Sequence, residues 1–409
     1  MTAASNDEQF PYSLALILNA FFLVNYLLWA IRPPSRTLAV LLMGALVFIC
    51  LAMLLRGKRL WPVFSFWVLS LLVTLWTGTP EADARGIWMC HAKRILFDNT
   101  LYAPLDSYRT CMNNAYPVLY PALAASLGRA AGLWNEVFPK SVISFLYVPP
   151  LLLICREFKN TFEATFFLGA IMLLCNIKLF NGYADAILAV YSAAVLFLAL
   201  NTSIENPRKI PLLFALLSTS LAIMFLLKNE GMVQAMVIIG VMFFLKNENW
   251  KIYLPGLAFA AAFYVLTWKL PLISAQVSDL GVYARSGVSW RIIERLIERL
   301  GKQNEVLAIL WAMLKEGALF PVLLTGVMIF FRSSCSVKVK KECLAAMCFV
   351  GLYSGVLFAV NLSTPLGLDY HLNTTVERVM LPVNIVSLAM LLKVLFNDRD
   401  NLGAQPGKS

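Results

Sequence analysis

Charge is what this chain has least of: Asp, Glu, Lys and Arg make up 14% of its 409 residues, against about 25% in a soluble domain. Hydrophobic residues reach 60%, and mean hydropathy is +0.72. That scarcity excludes a soluble globular protein and points to a polytopic all-α membrane bundle, most of it facing lipid or other spans. Histidine occurs only twice, and no Gly-rich nucleotide-binding loop, repeat period, low-complexity tract or appended soluble domain is present. The residues ahead of the first apolar segment, Tyr12 to Ile31, include Asp7 and Glu8 and lack a basic stretch. That segment is therefore expected to be a retained span and not a cleaved signal peptide. The net charge of +11 would suggest nucleic acid in a soluble chain. Here the Lys and Arg lie in short loops, where topology accounts for them and no nucleic-acid partner is expected.

Apolar windows fall at about 12–31, 38–55, 61–77, 142–155, 162–176, 183–200, 211–227, 232–245, 253–270, 306–331, 344–361 and 379–396. They predict roughly twelve spans in a single membrane domain covering 1–409. With that count the basic loops at 56–59, 156–159, 207–209, 246–251 and 332–341 share one side. The positive-inside rule makes it cytoplasmic. Both termini are then expected in the cytoplasm. The loops at 77–141 and 271–305 face the periplasm, and only the Arg32–Arg36 turn carries positive charge on the wrong side.

The 77–141 loop is the longest polar excursion, and the chain is organised around its opening, TGTPEADARGIWMCHAKRILF. Ile87, Cys90, His91, Arg94 and Ile95 recur there at helical spacing. In the second loop, Trp290, Ile293, Ile297 and Leu300 share one face of a helix that stops at Gly301. Both read as juxtamembrane helices lying along the outer interface, or else packed on other parts of the protein. Cys50, Cys155, Cys175 and Cys348 fall in predicted spans and Cys335 and Cys343 on the cytoplasmic side, all expected reduced. Only Cys90 and Cys111 share an outward loop, where an oxidising compartment permits a disulfide; their spacing has no metal-site character.

Four polar features stand at outward ends of predicted spans. Glu81 and Asp83, with Arg85 beside them, open the first loop; a carboxylate here could take a proton from an acceptor hydroxyl, and two together could hold a divalent cation. Lys228 and Glu230 sit in LLKNEG between two apolar windows with almost no loop, where ionisable groups are costly and are either functional or paired with each other. Asp369, His371, Glu377 and Arg378 precede the last span, and a guanidinium at that entry can fork onto a phosphate. Asp185, near the outer end of the sixth window, reads as a structural partner for Lys178 or Lys228.

Taken in order, the acidic pair, ARGIWMCHAKRIL, NAYPVLYP, NGYADAILA, LLKNEG and HLNTTVERVMLP resemble the GT-C superfamily of integral-membrane glycosyltransferases. The likeness is to bacterial relatives of protein mannosyltransferases and of the lipid A aminoarabinose transferase, in patches from about 77 to 385. It implies a polyprenyl-phosphate sugar donor and transfer on the periplasmic face to an envelope glycan, lipid or protein. By the family pattern Asp83 is the catalytic base, and Lys228 and Arg378 hold the donor phosphate. Glu81, Arg85, Glu230 and His371 would lie in the same substrate site. A single displacement would invert the anomeric centre. No cofactor is required by this scheme, with a divalent cation left open. Two departures stand out: family members commonly place the acidic loop after the first span, whereas here two extra apolar segments precede it, and the loops are short. The competing readings are a transporter or flippase for lipid-linked glycans, which would favour charges at mid-membrane, and a ligase joining whole glycan chains.

Overall fold

The computed structural model describes residues 3–56, 58–79, 81, 83–102, 111, 116–201, 210–274, 288–332, 335–364 and 367–397, and all the regular structure among them is helical. Seven helices are long and apolar enough to cross a membrane: Gln9–Ile31, Arg36–Leu55, Lys58–Trp76, Ile210–Leu227, Trp250–Ile273, Val337–Ser363 and Leu368–Phe396. Gln303–Gly317 and Leu319–Phe330 meet at a 67° bend and add an eighth if the pair crosses as one. Pro139–Cys155, Thr161–Cys175, Asp185–Asn201 and Glu230–Phe244 are apolar but shorter, so the expected twelve depends on these four.

The centre is the Asp185–Asn201 helix, buried on every side from Asp185 to Ala199. It packs against Val148–Cys155, Ile210–Leu227, Glu230–Phe244 and Leu381–Asn397. A helix apolar all round must be enclosed by protein or lipid, and its few polar groups bond inward. Tyr191 donates to Asn19 Oδ1 at 2.9 Å, Asn19 donates to Ser220 at 2.9 Å, and Ser192 bonds both Leu188 O and Gln234. These ties join four helices at a level where water cannot serve as partner.

The 77–141 segment is more structured than its polarity implied. A π-helical turn, Ala84–Met89, runs into a helix over Cys90–Asp98, and a further helix spans Leu119–Ala131. The Leu119–Ala131 helix, unanticipated from hydropathy, packs on Cys90–Asp98, Arg36–Leu51 and Ala3–Ile31. His91 and Arg94 are buried, so the Cys90–Asp98 helix lies against protein and not along a lipid interface. The helix also explains the misplaced charge of the first hairpin. Arg36 donates to Ala131 O at 3.4 Å and Arg129 to Pro34 O at 3.1 Å, placing a guanidinium at a helix C-terminus where the dipole favours it.

In the second loop Val288–Leu300 forms the expected helix. Ile293, Ile297 and Leu300 are exposed along one stripe, while Arg299 donates to the carbonyls of Asn361 (2.9 Å) and Leu362 (3.3 Å). The Trp290 side chain lies outside the described residues, as do 207–209. At the other end of the bundle Arg59, Arg156, Lys159 and Lys338 line one cavity, so three of the basic loops do share an end.

Candidate active site

The acidic opening of the first loop is set by what holds Thr77 and Gly78. The Trp61–Trp76 helix ends there, and its exposed carbonyls are taken by a fully buried Lys140, whose ammonium donates to Thr77 O (2.7 Å), Thr77 Oγ1 (3.0 Å) and Gly78 O (2.8 Å). Thr79 Oγ1 donates to Glu136 at 3.3 Å. Glu81 and Asp83 follow at once. Alongside runs the Asn181–Gly182 turn, where Gly182 adopts φ +104 and a Cβ would come 3.0 Å from the Ala84 methyl. Glycine alone allows that backbone and that approach, and the turn delivers Tyr183 and Asp185 beside the acidic pair.

Lys228 is delivered by a second close approach. A Cβ on Gly231 would lie 2.1 Å from Met224 O, so only glycine lets the Glu230–Phe244 helix start directly against the end of Ile210–Leu227. The KNEG turn thus sets Lys228 and Glu230 at the same end of the central helix. Arg378 arrives from the Leu368–Val379 helix, which packs against the Asp185–Asn201 helix.

Together these segments form one continuous chain of ion pairs. Arg378 Nη1 lies 2.6 Å from Asp83 Oδ2 and 3.9 Å from Asp185 Oδ2. Lys228 Nζ lies 2.7 Å from Asp185 Oδ1 and 2.9 Å from Glu230 Oε1. Asp185 is therefore the bridge between the two cations. Aromatic faces complete the enclosure: the Arg378 guanidinium sits 4.6 Å from the Tyr183 ring, and Tyr183 Oη donates to Glu81 at 3.2 Å. Lys228 Nζ is 5.8 Å from the Tyr116 ring, which stacks on Trp88. Burial would discharge Lys228, but the Asp185 and Glu230 carboxylates overturn that and hold it protonated well above the usual lysine range. Burial pushes the Tyr183 hydroxyl up, reinforced by Glu81 and Asp83 and opposed by Arg378, so it remains a donor.

Of the residues singled out from sequence, Asp83, Asp185, Lys228, Glu230 and Arg378 are in direct contact, and Glu81 joins through Tyr183. Asp185 takes Lys228; Lys178, its other expected partner, pairs with Glu377. Cys90 and Cys111 are disulfide-bonded, Cα to Cα 5.5 Å. Arg85 is exposed, its amide bonded to Glu81 O at 3.1 Å. His371 stands two turns before Arg378 and outside the ion-pair chain, its Nδ1 buried without a hydrogen-bond partner among the described residues. Tyr183, Tyr116 and Lys140 were not anticipated. Tyr183 is two residues from Asp185, but a tyrosine in an apolar window carries no distinguishing signal, and Lys140 reads as an ordinary span-end lysine.

Among the described residues no three His, Cys, Asp or Glu side chains converge as a metal site. Asp83, Asp185 and Glu230 each already meet a cation. What the cluster can do is bind an anion by exchange: a phosphate can take Arg378 or Lys228 from a carboxylate, with charge-assisted and bidentate bonds in place of the existing ones. The chain matches no family model, no curated protein and no solved structure.

Proposed function

We propose that this chain is a membrane glycosyltransferase of GT-C type, moving a sugar from a polyprenyl-phosphate donor to a glycan, lipid or protein acceptor of the cell envelope. One observation carries the reading: an acid from the first loop and two cations from segments 145 and 295 residues further along meet at one end of the bundle, Asp83 against Arg378 and both linked to Lys228 through Asp185. Three of the basic loops lie at the other end, which under the positive-inside rule supports a cluster on the periplasmic side of an inner membrane, with both termini in the cytoplasm.

The chemistry follows from the pairing. The donor phosphate takes the Arg378 guanidinium from Asp83 and so frees the carboxylate only when donor is present. Asp83 then accepts the proton of the acceptor hydroxyl as its oxygen attacks the anomeric carbon. The bond from that carbon to the phosphate oxygen breaks, the configuration inverts, and the polyprenyl phosphate leaves with charge stabilised by Arg378 and Lys228. Asp185 keeps both cations in place throughout. It is a positioning residue of the site.

Purified protein is incubated with radiolabelled polyprenyl-phosphate sugar and envelope acceptors. Transfer by the wild type and its loss in Asp83→Asn support the reading. Undiminished transfer in Asp83→Asn removes the base, and movement of intact donor across a bilayer without transfer favours a flippase.

A further inference from the structure

The central helix has a second charged end. About 24 Å from Asp185 at 1.5 Å per residue, Asn201 borders a cavity of about 550 Å³. Five cationic side chains line it, Arg59, Arg156, Lys159, Lys338 and Lys393, from four separate stretches of the chain.

Its two carboxylates are occupied by one lysine. Lys393, buried at 7% exposure, lies 2.9 Å from Glu157 and 2.8 Å from Glu342. Asn201 also donates to Glu157 at 2.7 Å, and Lys338 reaches Glu342 only at 3.8 Å. The buried triad of one ammonium and two carboxylates is itself one charge negative, and the four other cations lining the cavity leave it with a surplus of three positive charges. A concave site of this size with convergent cations suits a small anionic group. Guanidinium forks from Arg59 and Arg156 favour phosphate geometry.

The depth of the cavity is marked by its surroundings. Arg59 is two residues before Trp61, which is 50% exposed at the start of a candidate span. Arg156 lies 3.8 Å from the ring of Tyr12. Exposed Trp beside Arg at a span end is the pattern of the headgroup layer, where basic pockets between helices hold anionic headgroups.

We propose that this cavity is a phosphate-binding site, independent of the sugar-transfer cluster, that takes the phosphoryl group of an anionic ligand at the opposite membrane face. Two sources present that chemistry, a phospholipid headgroup of the adjoining leaflet and a water-soluble phosphate, and Trp61 and Tyr12 favour the lipid.

The test uses full-length protein in nanodiscs. In discs of phosphatidylcholine alone, inorganic pyrophosphate is titrated and thermal unfolding followed; a second set of discs contains graded phosphatidylglycerol. Arg59→Gln with Lys338→Gln removes two wall cations and leaves both Lys393 ion pairs in place, giving up only the 3.8 Å approach of Lys338 to Glu342. Lys251→Gln, an exposed lysine paired with Glu248 outside the cavity, is the control. Stabilisation by phosphatidylglycerol, weakened about thirtyfold in apparent affinity by the double variant at about five- to sixfold per cation and unchanged in the control, establishes the lipid source. The same dependence with pyrophosphate and none with phosphatidylglycerol establishes the soluble one. No stabilisation by either ligand, or equal stabilisation of wild type, double variant and control, overturns the site.

Discussion

Asp185 is the residue on which the two cations of the site depend together. Its carboxylate is 7% exposed and contacts Lys228, itself 9% exposed, at 2.7 Å, with Arg378 at 3.9 Å. Removing one member of a buried pair leaves the other charged and desolvated, at a cost of about 3–5 kcal/mol. Asp185→Asn leaves Lys228 only Glu230, which is 30% exposed, and should cost about 3 kcal/mol. Lys228→Met leaves Asp185 facing Arg378 and should cost a similar amount. The double variant removes both orphaned charges together, so its loss should also stay near 3 kcal/mol instead of doubling, a coupling of about 3 kcal/mol. Equilibrium unfolding of the purified protein in mixed micelles, followed by tryptophan fluorescence, measures all three. Losses that add to within about 0.5 kcal/mol would refute the bridge.

Gly231→Ala forces a Cβ against Met224 O and should destabilise the protein by about 1–3 kcal/mol, with sugar transfer falling further than stability because Lys228 moves with the turn; parallel unfolding and transfer assays separate the two. Replacing Cys90 and Cys111 by serine opens a disulfide spanning 21 positions, and thermal unfolding without reductant should show a loss of about 3 kcal/mol. Lys228 has its protonated form stabilised in the folded protein. Its contribution is therefore complete below the unfolded lysine value near 10.4 and is lost only as pH rises through the higher folded value. Stability compared between wild type and Lys228→Met should differ by a constant amount from about pH 6 to pH 9, and a gap closing within that window would contradict the pairing.

Hydropathy made the long spans legible because a helix that must cross lipid needs some twenty apolar residues. The same window hid Leu119–Ala131, whose 13 residues are too few to cross and are buried by neighbouring helices instead. It also merged the two helices that bend at Ala318 into one expected span, since apolar character continues through the bend. In the site, Asp83, Lys228 and Arg378 stood out because charge is conspicuous beside apolar runs. Asp185 was noticed for the same reason, but its bridging role depends on three helices meeting, which no local pattern encodes. Lys140 and Tyr183 act through backbone carbonyls and a ring face, contacts that leave no trace in residue order.

In the proposed reaction one polyprenyl phosphate is enclosed by segments distant in sequence. A photoreactive polyprenyl monophosphate, incubated with the protein in nanodiscs and its adducts mapped by mass spectrometry, tests this directly. Adducts are expected on the segments around Asp83, Asn229 and Arg378, competed by unmodified polyprenyl phosphate and lost in Arg378→Gln. Adducts scattered over lipid-facing helices and indifferent to competitor would contradict it.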